Sequence, residues 1–222
     1  MPKITSVEPQ TLRLHSGSSR RFNVYLDDAF AFGADEDLVV EHRLIVGKIL
    51  DSEQVERLLF ESEVGKLMER MYGLFNIRQR SEKEVRDYLR NLSFKRRIKD
   101  QEEISEVAVE LLIEKLKKKG LLNDQEFAKS WVESRKKKKG VRVLKQELFQ
   151  KGISKEIIEE VVSEQVTVDS AAQVAEKILE KKMRIWKNLP DLEFKKKTYE
   201  FLLRRGFEYD LVKTIVEKII RK

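Results

Sequence analysis

LFQKGISKEIIEEVV at 148–162 and LLRRGFEYDLVKTIV at 202–216 follow one rule. Gly152 aligns with Gly206, Leu148 with Leu202, and Ile153 with Phe207. Ile157 and Ile158 match Leu211 and Val212, and Val161 and Val162 match Ile215 and Val216. Two basic or amide residues precede each glycine, Gln150-Lys151 in one copy and Arg204-Arg205 in the other. Any two amphipathic helices share a period of about 3.6 residues. They do not have to share a glycine followed by an apolar anchor. The pattern therefore predicts a helix, a left-handed glycine turn, an apolar residue folded back on the last turn, and a second helix. Recurrence of such a unit is the signature of a repeat protein.

A helical segment precedes each pair: FAKSWVESRKKKKG (127–140) the first, and VAEKILEKKMRIW (174–186) the second. A divergent earlier copy runs from about 64 to 120. In it VRDYLRNL matches VLKQELFQ, with Leu89 at the place of Leu148. Asn91-Leu92-Ser93-Phe94 replaces the glycine turn there, and KRRIKDQEE (95–103) reads as an extension of that joint. SEKEVRDYLRNL (81–92) opens with Ser81 as N-cap and Glu84 three residues on, a capping-box spacing. Between the first and second copies, KLKKKGLLNDQEFAKSW (115–131) reads as a joint. Gly120 ends one helix, Leu121 or Leu122 folds back, and Asn123 caps the next with Glu126 three residues on.

The first part of the chain differs. RFNVYLDDAFAFG (21–33) alternates with a period of two around Asp27-Asp28, which predicts a β-hairpin with Phe22, Val24, Leu26, Phe30 and Phe32 as its apolar positions. ITSVEPQTLRL (4–14) supplies a third strand, with Ser16-Gly17-Ser18-Ser19 as the connecting loop. DEDLVVEHRLIVG begins a helical pattern, and 51–75 is a second helical segment with Leu58, Leu59 and Leu67 in its stripe. A later stripe contains Ile104, Val107, Leu111, Ile113 and Leu116. The expected fold class is mainly α: tandem three-helix repeats forming an elongated curved body, with a small N-terminal β-hairpin or three-stranded region. The expected parts are 1–50, 51–123, 124–167 and 168–222. A serial stack of this kind suits a long partner groove better than a small substrate.

Composition narrows the function. Of 222 residues, 38% are charged, well above the usual quarter. There is no cysteine, which excludes disulfides, thiolate catalysis and zinc sites built from Cys. No apolar run is long enough to span a membrane, and MPKITSVEPQ lacks the apolar core of a signal peptide, so the expected location is the cytoplasm. Residues 1–70 hold 9 Lys/Arg and 13 Asp/Glu, whereas 71–222 hold 37 and 26. A basic body behind an acidic N-terminal part fits a polyanionic partner or an acidic protein surface, and equally a solvated surface rich in Lys and Glu.

No catalytic constellation emerges. His15 and His42 are the only histidines, and neither has a spaced partner for a metal site or a triad. Asp35-Glu36-Asp37 reads as helix N-terminal capping rather than a cation site. Ser130 and Ser134 have no nearby base, and neither GxxxxGK[ST] nor GxGxxG occurs. The expectation is a non-enzymatic protein without cofactor, metal or small-molecule substrate. Two cationic corners are the candidate contacts. The first is Arg135-Lys136-Lys137-Lys138-Lys139 with Arg142 and Lys145. The second is Lys195-Lys196-Lys197 with Arg204-Arg205. They would neutralise phosphates without reading sequence, or, on the alternative reading, form solvated helix ends. Trp131 and Trp186 are either base-stacking platforms or core.

Taken in order, RSEKEVRDYLRNL, EKLKKKGLLNDQEFAKSW, LKQELFQKGISKEIIEEVV and YEFLLRRGFEYDLVKTIV resemble the RecX family of bacterial recombinase regulators. The likeness covers about 64–222, and RFNVYLDDAFAFG resembles the N-terminal extension of longer members. The resemblance implies a modulator of RecA that lodges along the groove of the RecA–DNA filament and inhibits ATP hydrolysis and strand exchange, some members promoting disassembly. It transfers no individual contact residue. The competing reading from charge alone is a sequence-nonspecific, architectural DNA-binding protein that acts without RecA. A third is a helical scaffold for an acidic protein.

Overall fold

The computed structural model describes residues 1–10, 20–186 and 189–220. His15, the loop 16–19 and the last part of the expected first strand lie outside the described residues. Three strands, β1 (Ile4–Pro9), β2 (Arg21–Leu26) and β3 (Ala29–Asp35), form an antiparallel sheet in sequential order. The β2–β3 loop is two residues long, and Asp27 and Asp28 take positive φ of 46° and 66°. That conformation matches the twist of the strands it joins. Val24 faces Phe32 in register, and both are buried. A register shift after Val24 pairs Phe30 with Tyr25 instead, and the two rings meet edge to face at 6.0 Å with Phe30 exposed.

Ten helices follow among the described residues: α1 (Glu36–Glu41), α2 (Ser52–Phe75), α3 (Glu82–Ile98), α4 (Glu106–Lys118), α5 (Asp124–Arg135), α6 (Val141–Gln150), α7 (Lys155–Gln165), α8 (Val168–Trp186), α9 (Asp191–Arg204) and α10 (Tyr209–Ile220). Asp35 caps α1 by accepting from the Leu38 amide at 2.9 Å, as its position predicts. The helical pattern expected beyond it stops at Glu41. The chain there is claimed by the sheet: the Ile4 amide donates to Lys48, Gly47 donates to Ile4, and Leu50 donates to Pro2. Leu44 and Leu50 thereby join Ile4, Val24, Phe32, Ala34, Leu38 and Leu58 in one core.

The chain forms two compact units, Met1–Arg80 with Val85–Leu122, and Ser81–Glu84 with Asn123–Lys222. In the first, α2 serves two cores. Leu58 completes the sheet core, while Val64, Leu67, Met68 and Met71 pack with Val85 and Leu89 of α3 and Ala108, Leu112 and Leu116 of α4. Burying each leucine contributes roughly 1.5–3 kcal/mol. Leu59 and Val107, both expected in apolar stripes, face solvent at 43% and 68% exposure. The buried stripe of α4 runs through Ala108, Leu112 and Leu116, one position away from Val107. The expected turn at Asn91–Phe94 is also corrected. These residues are helical, because α3 runs to Ile98, and the joint to α4 comes after it. Asp100 turns that joint with φ of 52°.

His42 has a partner that the sequence spacing did not reveal. Its Nε2 lies 2.9 Å from Glu61, whose other oxygen accepts from Arg57 at 2.9 Å. Partial burial pushes the Glu61 carboxyl up, but the bonds from Arg57 and His42 outweigh it and hold the carboxyl below the usual carboxylate range. A depressed folded-state pKa favours the fold above the unfolded carboxylate range and is lost as pH falls through the folded value. Glu61→Gln is therefore expected to lower stability near neutral pH, and its deficit against the parent should shrink on acidification. Urea unfolding at a series of pH values checks this.

In the second unit, α5–α7 and α8–α10 each bury their own core. Asn123 caps α5, accepting from Gln125 at 3.0 Å and Glu126 at 3.1 Å. The two aligned glycine turns are superimposable in their bonding. Ile153 donates to Leu148, and Phe207 donates to Leu202. Gly152 and Gly206 have φ of 81° and 87°. Both also sit under a helix start. The Gly140 amide donates to Arg205 at 2.9 Å, and Arg142 donates to Gly206 at 3.1 Å. Ser81 donates its hydroxyl to the Lys151 carbonyl at 2.7 Å, and Lys83 donates to Gln150 at 2.9 Å. A Cβ on Gly206 would lie 2.5 Å from the Val143 nitrogen, whereas one on Gly120, also at positive φ, would meet nothing within 4 Å. Gly120→Ala should cost about 1–2 kcal/mol of backbone strain, and Gly206→Ala clearly more, with a larger drop in thermal midpoint by calorimetry of the full chain.

Candidate polyanion-binding surface

The α5–α6 joint follows from a helix that ends sooner than its lysines. α5 stops at Arg135, Lys136 is its C-cap, and Lys137–Lys139 form the turn. The run does not wrap round a helix, as a purely sequential reading of five basic residues suggests. Its backbone is instead fixed on the α9–α10 turn by the Gly140 and Arg142 amides, and Arg205 Nη1 donates to the Lys138 carbonyl at 3.3 Å. Two runs separated by more than sixty residues thus meet at their backbones, the 137–142 run against the turn that holds Arg204 and Arg205. Lys195, Lys196 and Lys197 stand nearer the start of the same helix as Arg204. They lie on α9, with Lys195 nine residues before Arg204, about 13 Å away along the helix axis.

The candidate cations separate by what they already hold. Arg135 lies 3.5 Å from Glu147 and stacks 4.0 Å from the Trp131 ring centre. Lys136 meets Glu133 at 2.5 Å and holds that carboxyl below the usual range through the bond it donates. Lys145 is bonded to Glu159 at 2.5 Å and Lys197 to Glu193 at 2.9 Å. Arg205 packs 4.6 Å from the Phe201 ring centre. Among the described residues, Lys137, Lys138, Lys139, Arg142, Lys195, Lys196 and Arg204 make no ion pair. Exposed pairs are worth at most about 1 kcal/mol, so the distinction concerns local field more than stability. Unpaired cations on one rigid joint add their potentials, whereas paired ones largely cancel.

The two tryptophans are committed to packing. Trp131 stacks on Phe127 at 5.6 Å, donates Nε1–H to Glu147 at 3.0 Å, and lies between Arg135 and the Lys151 ammonium, 5.1 Å from its ring centre. Lys151 in turn reaches Glu84 at 2.5 Å. Trp186 meets Phe194 and Phe201 edge to face. Sequence reasoning passed over Lys151 and Glu84 as partners because 67 residues separate them. The repeated glycine turn was the available signal that the residue before it is fixed in place.

The molecule so described is a tandem three-helix-repeat protein led by a small antiparallel sheet, with a cationic joint in its second unit. Residues 2–51 match the N-terminal domain of regulatory protein RecX, 123–162 the second RecX three-helix domain, and 169–216 the third. The regulatory protein RecX of Bacillus subtilis (strain 168) is 33% identical over 221 residues, covering 99% of this chain and 78% of that protein. That of Clostridium perfringens (strain 13 / Type A) is 31% identical, covering 99% and 97%. A crystal structure of regulatory protein RecX superposes with a TM-score of 0.74 at 26% identity, covering 98% of this chain and all of that one. The structure of RecX from Lactobacillus salivarius gives 0.62 at 26% identity, covering 73% and 99%. The chain belongs to the RecX family of regulatory proteins.

If the unpaired cations hold a polyanion, each contact removed should lower the salt slope of binding by about 0.7–0.9. Replacing Lys137, Lys138, Arg142 and Arg204 together with alanine is expected to weaken binding to a single-stranded oligonucleotide and flatten that slope. Replacing Lys136, Lys145 and Lys197 is expected to leave the slope near the parent's. Fluorescence anisotropy across a salt series compares the two.

Proposed function

We propose that this protein binds the RecA filament along its helical groove and inhibits RecA's ATPase and strand exchange, acting by contact and without chemistry or cofactor of its own. Membership of the RecX family of regulatory proteins, together with the resemblance that implies RecA as the partner, carries the reading. The two repeats of the second unit support it, since cations without ion pairs near their joint suit a partner that contains DNA as well as protein. On this reading the protein works in the cytoplasm, in homologous recombination and DNA repair under the SOS response. No helix among the described residues is long and apolar enough to cross a membrane, and no membrane partner is part of the proposal.

The basic joint also favours a second reading, a sequence-nonspecific DNA-binding architectural protein that needs no RecA. The two differ in what RecA adds. On the first, purified protein added to RecA on single-stranded DNA should lower the rate of ATP hydrolysis at substoichiometric or equimolar ratios. An unchanged rate at every ratio up to equimolar would sink the inhibitory proposal. On the second, DNA alone should be bound as tightly as the filament, with affinity falling steeply as salt rises.

A further inference from the structure

The basic second unit has an acidic counterpart in the first, at a place the proposed function does not use. A cavity of about 310 Å³ opens between α1, α2 and α4. Its apolar surface comes from Leu38, Val64, Met68 and Tyr72. Five carboxylates line it, those of Asp35, Asp37, Glu41, Glu61 and Glu69, against two ammonium groups, Lys115 and Lys119. Glu61 is held by Arg57 and His42, and Asp35 caps α1. Among the described residues, Asp37, Glu41 and Glu69 make no ion pair.

Gly65 lies in the lining and in the interior of α2, where glycine costs about 0.5–1 kcal/mol relative to alanine. A Cβ there would stand 3.0 Å from the Asp35 carboxylate. Arg21 Nη1 would be 3.6 Å from the same Cβ, so the glycine lets the Asp35 and Arg21 side chains of the sheet approach α2 at the edge of the cavity.

We propose that this cavity is a socket for an arginine side chain presented by a partner protein. An apolar floor beneath a carboxylate rim matches a guanidinium on an aliphatic stem, and the lining includes one aromatic side chain, Tyr72. The rim already shows the chemistry: Arg57 Nε lies 2.9 Å from Glu61. A bare metal ion fits less well. Glu41, His42 and Glu61 bring three ligand atoms within 4.8 Å of one another, but both Glu61 oxygens are taken by Arg57 and His42. A volume of about 310 Å³ with an apolar floor also far exceeds one ion.

The test uses the full chain and no RecA, so it stands apart from the proposed function. Amide resonances are followed by NMR while N-acetyl-arginine methylamide is added, with the neutral isostere N-acetyl-citrulline methylamide, free L-arginine and zinc chloride in parallel. Saturable shifts at Gly65, Glu69 and Tyr72 are expected with the capped arginine in the millimolar range. The citrulline compound should bind at least about tenfold more weakly, as should the capped arginine to a Glu41→Gln/Glu69→Gln variant whose spectrum shows it folded. Absence of saturable shifts, equal binding of citrulline, or undiminished binding by the variant overturns the socket. Tighter binding of free L-arginine overturns it in favour of a small-molecule site, and zinc binding at those residues in preference to arginine overturns it in favour of a metal site.

Discussion

The close approach of one backbone to another, Gly140 against Gly206, is the constraint on which the second unit depends. Added side-chain carbon at Gly140 would overlap the Gly206 carbonyl and the Phe207 nitrogen. The contact is therefore made by main chain on main chain, and two amide hydrogen bonds close it. Gly152 repeats the arrangement with a side chain above it: a Cβ there would lie 2.5 Å from the Lys83 Cβ. In each case a helix begins where another helix has just turned. At Gly206 the start supplies free backbone amides, at Gly152 it supplies the Ser81 hydroxyl and the Lys83 ammonium, and in both the turn supplies carbonyls that its own helix has left unpaired. The two sets of groups satisfy each other, which is why a short joint tolerates being covered.

That arrangement also sets the electrostatics. Fixing the joint through its backbone leaves the side chains of Lys137, Lys138, Lys139 and Arg142 unspent, because no salt bridge is needed to hold the turn. Several other cations of the same unit are tied: Lys136 to Glu133, Lys145 to Glu159, Lys151 to Glu84. The chain carries nearly as many acids as bases, so a strong local field requires segregation rather than excess. The joints achieve it by clustering bases at turns, with the acids that pair placed along helix flanks.

Much of this was legible because its causes are local. The glycine turns announce themselves through Gly152-Ile153 and Gly206-Phe207, since positive φ and a refolded apolar anchor are demands on two adjacent residues. The Asn123 cap and the Asp27-Asp28 hairpin are readable for the same reason. What failed to read was set by distant partners. The helical spacing after Asp35 is overridden by backbone bonds to Ile4, and the expected turn at Asn91–Phe94 is overridden by the continuation of α3. At the site, the basic residues were identifiable by type, but their division into paired and unpaired was not. Glu133, Glu147, Glu159 and Glu193 decide it, and two of those four act across a joint. The union of the 137–142 and 204–205 runs likewise depends on the Gly140–Gly206 approach.

The absence of glycine from the α3–α4 joint follows from the same physics. Glycine is required at Gly152 and Gly206 for two reasons at once, a left-handed backbone and a helix start pressed against it. At the α3–α4 joint only the first applies. Asp100 takes φ of 52°, which a short polar side chain tolerates at modest cost, and residues 97–103 are exposed, so no chain crowds the turn. The helix start at α9 is correspondingly different: Pro190 stands at its N-cap and Leu192 is 82% exposed. Gly152 and Gly206 thus answer both demands, a left-handed turn and a helix start pressed on it, whereas Gly120 answers the first alone. At the Gly140–Gly206 contact the two amide bonds are made by backbone, so Lys137, Lys139 and Arg142 can change side chain without removing them, whereas Arg205 also donates its Nη1 to the Lys138 carbonyl.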